Sequence, residues 1–282
     1  MKTIPIYQVD AFTDQLFGGN PAAICPLKEW LSAPLMQKIA AENNLAETAF
    51  FVPLKDGFEL RWFTPELEID LCGHATLASA HVIFSQLGFK ENQIKFFTQK
   101  AGTLTVTHSA DLYTLDFPSR VPQACEIPDG LIEAIGGGMP KEVLRSRDYM
   151  LVYESEEEIR GLIPDFNALA KIDALGIIVT APGNNSDFVS RFFAPSAGIN
   201  EDSVTGSAHC NLIPYWAGKL AKNKLHAYQV SNRLGELWCE LNGERILMSG
   251  KAVTYLKGEI FFPCSFSVIY KVLGILILCS FI

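Results

Sequence analysis

The sequence predicts an α+β fold of two similar lobes built by an internal duplication, and three observations carry that prediction. Arg61-Trp62-Phe63-Thr64-Pro65 reappears as Arg191-Phe192-Phe193-Ala194-Pro195, and Ile69 returns as Ile199. After a short insertion, Cys72-Gly73-His74-Ala75 falls opposite Thr205-Gly206-Ser207-Ala208, and each is followed by an apolar helical pattern, over 77–87 and 210–220. Between these units, alternating segments such as Gly102-Thr103-Leu104-Thr105-Val106-Thr107 and Tyr113-Thr114-Leu115-Asp116-Phe117 mark paired strands. A repeat period near half the chain means two lobes, because a solenoid needs several short repeats.

Taken in order, the chain starts in a strand-like alternation, Ile4-Pro5-Ile6-Tyr7-Gln8-Val9. Leu35, Ile39 and Ala40 give an amphipathic helix, and Thr48-Ala49-Phe50-Phe51-Val52 a strand, which puts Glu47 on the connecting turn. Each repeat then reads as strand, turn at proline, extended segment, glycine turn and helix. Pro118, Pro122 and Pro128 punctuate the chain between the copies and place the lobe boundary there. The expected lobes are residues 1–119 and 120–262. Residues 263–282 form an apolar tail whose one charge is Lys271. The apolar run after Lys271 is about half of a full membrane span, and Phe266 to Ile282 with a snorkelling lysine comes close to one, but an extra core or interface segment or an appended C-terminus is favoured over a membrane anchor.

The first turn of a helix leaves N–H groups without partners and carries partial positive charge, so two glycine turns opening onto one cleft form an anion clamp. The competing reading is that each glycine only permits a tight turn. Both copies keep polar residues beside the glycine, where packing alone would accept apolar ones.

At 282 residues and 49% hydrophobic, the chain buries a full core. A net charge of −8 and the lack of clustered Lys and Arg argue against nucleic acid as a partner. The N-terminus has no apolar secretory region, and its style is cytoplasmic. Seven cysteines with no Cys-x-x-Cys pair suggest reduced thiols, not a disulfide framework or a structural zinc site. Cys72, His74 and His81 do not have ligand spacing, and no phosphate loop or dinucleotide fingerprint occurs, so neither metal nor cofactor is expected.

Six ordered blocks resemble the phenazine-biosynthesis isomerase-like (PhzF-like) family, related in fold to diaminopimelate epimerase. They are Val9-Asp10-Ala11-Phe12-Thr13, Gly19-Asn20-Pro21-Ala22-Ala23, Asn44-Leu45-Ala46-Glu47-Thr48-Ala49-Phe50, the Arg61 block, Leu71-Cys72-Gly73-His74-Ala75-Thr76, and Gly198 through His209. The resemblance implies that each lobe is a curled, mostly antiparallel sheet around a central helix, with the site in the cleft between lobes. It implies a cofactor-independent isomerase acting on a small carboxylate, in which Glu47 shuttles a proton and His74 and Asp202 share the transfer. By the same resemblance Asn20, Gly73, Ala75, Thr205, Gly206 and Ser207 bind substrate. A homodimer is the expected assembly if the chain associates.

Three departures stand out. Ala46 replaces the usual serine, Ser203 the usual proline, and Arg233-Leu234-Gly235 stands where Arg-Gly-Gly is expected. Relative to epimerases of this fold, Cys72 is kept but its partner is Thr205, too weak an acid for two-thiol chemistry. Asp202 could instead cap a helix, and Cys72 reads as a small buried thiol. A non-catalytic small-molecule-binding or protein-interaction protein on the same fold is the alternative function.

Overall fold

The computed structural model describes residues 1–263. The first half runs β1 (Lys2–Ala11), β2 (Asn20–Pro26), α1 (Ala33–Asn43), β3 (Glu47–Leu54), β4 (Gly57–Phe63), β5 (Glu68–Ile69), α2 (Gly73–Ser85), β6 (Gln93–Phe97), β7 (Thr103–Ser109) and β8 (Leu112–Pro118). The second runs β9 (Gln123–Ala124), α3 (Leu131–Ile135), β10 (Glu142–Arg145), β11 (Tyr149–Val152), α4 (Glu156–Gly161), α5 (Phe166–Leu169), β12 (Ile177–Pro182), β13 (Phe188–Ala194), β14 (Ile199–Asp202), α6 (Gly206–Leu220), β15 (Lys224–Gln229), β16 (Gly235–Asn242), β17 (Arg245–Gly250) and β18 (Ala252–Phe262).

One pairing scheme is used twice. Strands pair in the order β1-β2-β3-β4-β6-β7-β8, with β2–β3 and β4–β6 parallel and the rest antiparallel. The order β10-β11-β12-β13-β15-β16-β17 repeats both the sequence of neighbours and their senses. The short β5 and β14 lie beside β4 and β13, at the positions of the repeated Arg-aromatic-Phe segments. An antiparallel seam joins the two halves, with β8 against β17 from Tyr113↔Gly250 to Pro118↔Arg245.

One strand also crosses between the halves. The short β9 stays within the second half and pairs with its next strand, β10. β18, which follows the second, pairs with β1 from Lys2↔Phe262 to Ala11↔Ala252. The sequence reading places residues 252–262 in the C-terminal lobe, whereas their hydrogen bonds lie in the N-terminal sheet. Apolar alternation marks a strand but not its partner, which is chosen by contacts distant in sequence.

Each sheet wraps a central helix. α2 is buried from His74 to Ile83 and packs against β1, β2, β3, β8 and β18, and its nearly unbroken small and apolar composition suits a helix covered on all sides. α6 packs against β15, β16 and β17, and residues of both helices belong to one continuous core. Pro214 lies inside α6 and has no N–H for the Cys210 carbonyl. That carbonyl accepts instead from the Arg120 N–H at 2.9 Å, which ties the passage between lobes to the helix.

The strand β3 is buried on both faces. Ala49 and Phe51 point into the core shared with α2, while Phe50 and Val52 pack with Leu35 and Met36 of α1. Among the described residues no helix is long and apolar enough to cross a membrane. The tail expected at residues 263–282 lies, beyond Pro263, outside the described residues.

Candidate active site

The two glycine turns meet. Gly73 opens α2 and Gly206 opens α6, and a Cβ built on Gly73 would stand 3.6 Å from the Gly206 Cα. Neither helix receives a capping hydrogen bond from its own N-cap side chain, Cys72 or Thr205. Two helix starts therefore face each other with first-turn N–H groups that their caps leave open, an arrangement that favours an anion between them.

A cavity of about 170 Å³ lies at this junction, lined by Glu47, Gly73, His74, Asp202, Gly206 and Ser207 among others. A larger, mainly apolar cleft of about 680 Å³ adjoins it, and the two share Glu47, Arg147 and Ser207. Glu47 occupies the first position of β3 and not a turn, because parallel pairing with β2 extends the strand to Ala22↔Glu47. Its carboxylate is buried.

His74 Nε2 lies 3.0 Å from Glu47 Oε2, but the approach is out of line, and both atoms are buried without an aligned hydrogen bond. On the other side of the ring, His74 Nδ1 lies 3.2 Å from Asn20 Nδ2 and 3.5 Å from Cys72 Sγ. Burial opposes the imidazolium, but the neighbouring Cys72 and Glu47 outweigh it and raise the His74 pKa well above the ordinary value. Burial also pushes the Cys72 thiol up, with the Glu47 charge adding to it and His74 opposing it.

Asp202 is not an N-cap; Thr205 holds that position. Asp202 Oδ2 accepts from Thr205 Oγ1 at 2.6 Å and Oδ1 from Asn20 Nδ2 at 2.7 Å. Burial raises its pKa, against the lowering effect of His74 and these two hydrogen bonds. Asn20 and Thr205, expected against the substrate, are buried behind the cavity wall and orient Asp202; Ala75 is likewise buried and does not line the cavity.

Arg233 sets the Asn20 loop by donating to Asp10 Oδ1 and to the Gly18 and Gly19 carbonyls. Leu234, standing where the family pattern has glycine, takes φ +54°. The Ser203 loop is tied down by a 2.9 Å bond from Ser231 Oγ to the Ser203 carbonyl.

Sequence reasoning missed three residues. Arg120 and Arg147 both line the small cavity, and Arg147 donates to Ser207 Oγ at 3.0 Å. Gln229, fully buried, donates to the Asp202 carbonyl and accepts from the Thr205 N–H. An arginine between Pro118 and Pro122, in the passage between lobes, was the available signal for Arg120.

One metal-like grouping exists among the described residues, Glu47, Cys72 and His74, with donor atoms within 4.8 Å of one another. The ring presents Nδ1 to Cys72 and Nε2 to Glu47, on opposite sides. No single ring nitrogen serves an ion shared with both partners, so the set does not fit a chelate.

The family model for phenazine biosynthesis-like proteins matches residues 9–258. The chain belongs to this family. It is 48% identical over 257 residues to a Pseudomonas aeruginosa protein described as an uncharacterized isomerase, covering 91% of this chain and 98% of that one. It superposes on the crystal structure of a PhzF-family protein from Enterococcus faecalis with a TM-score of 0.90 at 47% identity, over 93% of this chain and 100% of the other. A predicted epimerase from Pseudomonas aeruginosa shares the fold at 19% identity and a TM-score of 0.69, over 92% and 100% of the two chains. The α+β family fold and its likeness to the fold of a predicted epimerase thus stand as the sequence implied.

Proposed function

We propose that this family member is a cofactor-independent isomerase that moves a proton within a small carboxylate-containing substrate, with Glu47 taking and returning it. The observation that carries the reading is the Glu47 carboxylate: buried, without an aligned hydrogen bond, and placed where the small cavity opens to the larger cleft. The isomerase description of a relative 48% identical over nearly its whole length supports the reaction class.

The substrate carboxylate sits between the starts of α2 and α6, whose N–H groups and partial charges hold it. Glu47 removes a proton from a carbon beside an unsaturated bond, and the electron pair shifts along the conjugated system. The same carboxyl then delivers the proton to the carbon at the far end. His74, protonated beside Glu47, stabilises the carboxylate as base, and Asp202, held by Thr205 and Asn20, faces the same cavity as a second acid.

The test is exchange in deuterated water, followed by proton NMR over a panel of small unsaturated carboxylates. The wild type is expected to incorporate deuterium at the reacting carbon. Glu47→Gln, which keeps the shape and removes the titratable group, should slow this about 100-fold or more. Undiminished exchange in the variant would overturn the assignment.

A further inference from the structure

Four charged groups surround the small cavity besides His74, and three are accounted for within the protein. Glu47 adjoins His74, Asp202 accepts from Thr205 and Asn20, and Arg147 forms a salt bridge with the buried Asp148 at 2.7 Å. Arg120 is the exception. The residue is half-buried, lines the cavity with its charge acting on the neighbouring Cys210 thiol, and makes no ion pair or side-chain hydrogen bond with any described residue.

Its position is built and not incidental. Pro214 leaves the Cys210 carbonyl free, and that carbonyl fixes the Arg120 backbone one turn into α6. A partly desolvated cation without a counter-charge is costly unless a ligand supplies one. The two helix starts carry about half a unit of positive charge each, which balances a single carboxylate. Arg120 adds a full unit beyond that.

The geometry points to Arg120 as the binding residue for a second anionic group, so that the ligand of this site is a small dicarboxylate. One carboxylate lies between the helix starts, and the other meets the planar guanidinium, whose fork matches a carboxylate bidentately. This deepens the isomerase reading by naming its substrate class and rests on the same site.

The test uses four- to six-carbon dicarboxylates, each against its own monoamide, titrated calorimetrically into the full chain, Arg120→Gln, Arg120→Lys and Glu47→Gln. At least one dicarboxylate should bind the wild type about 10- to 100-fold more tightly than its monoamide. Arg120→Gln should abolish that preference while leaving monoamide affinity unchanged, and Arg120→Lys should restore part of it. Melting curves of the unliganded variants check that the fold is intact, and Arg120→Lys carries the test if Arg120→Gln does not fold. No dicarboxylate preference in the wild type, or equal weakening of both ligands by Arg120→Gln, would overturn the proposal. Glu47→Gln should retain the preference while losing deuterium exchange. Failure of the proton-shuttle reading and failure of the Arg120 assignment therefore give different results.

Discussion

At the residue scale, the departures from the family pattern have local consequences that can be measured. Leu234 is in the left-handed region at φ +54°, where a Cβ costs roughly 1 kcal/mol. Its side chain is 44% exposed, so little packing offsets that cost. Its carbonyl nonetheless accepts from the Gly19 N–H at 2.9 Å, so the strained conformation is kept by the loop that carries Asn20. Leu234→Gly is expected to raise the melting temperature by about 2 °C. Gly235 shows the reverse: a Cβ there would stand 2.1 Å from Val204 Cγ2, so this glycine of the pair is required by space. A melting temperature that falls in Leu234→Gly would show that its side chain contributes more than the backbone strain costs.

At the scale of elements, the repeat that was legible in sequence proves to be a matched pair of struts. Arg61 on β4 grips Glu68 on β5 through two bonds of 2.6 and 2.7 Å, and Arg191 on β13 grips Glu201 on β14 at 2.8 and 3.0 Å. Each guanidinium also lies over the aromatic ring two residues on, Phe63 or Phe193. The struts hold the extended segments that lead into Gly73 and Gly206. They are unequal, however. Arg191 alone also donates to the Ile159 and Leu162 carbonyls, and Glu201 is the more buried carboxylate and adjoins Asp202. Arg191→Met should cost about 3 kcal/mol in urea unfolding, against about 1 kcal/mol for Arg61→Met. Equal losses would refute this ranking. The glycine turns and the repeated segments of Arg61 and Arg191 were readable because they depend on local residue order, whereas the pairing of these arginines with Glu68 and Glu201 was not. Glu47 as a strand residue and the roles of Arg120 and Gln229 were not, since they follow from pairing and packing between segments far apart in the chain.

At the scale of the whole molecule, the two lobes are not independent units, although the repeat alone suggests that they are. The β8–β17 seam, the core shared by α2 and α6, and the pairing of β18 with β1 each cross between the halves. Without β18, the strand β1 loses a partner along its whole length, and the apolar group formed by Ile4, Phe50 and Phe262 opens. Exposed edge backbone and apolar surface of that extent are expected to unfold the N-terminal sheet. Trp30, packed against that apolar group, and Trp62 on β4 report on the N-terminal half, whereas Trp216 on α6 and Trp238 on β16 report on the C-terminal one. Variants keeping only one tryptophan pair should give coincident urea transitions, the signature of a single cooperative unit even in a chain large enough for intermediates. A chain ended at Lys251 should lose both transitions, and one ended at Phe262 should keep them. If the Trp216 and Trp238 signal unfolds cooperatively in the chain ended at Lys251, the C-terminal half folds on its own. The β18 strand would then be a covering of the first lobe and not a lock on both.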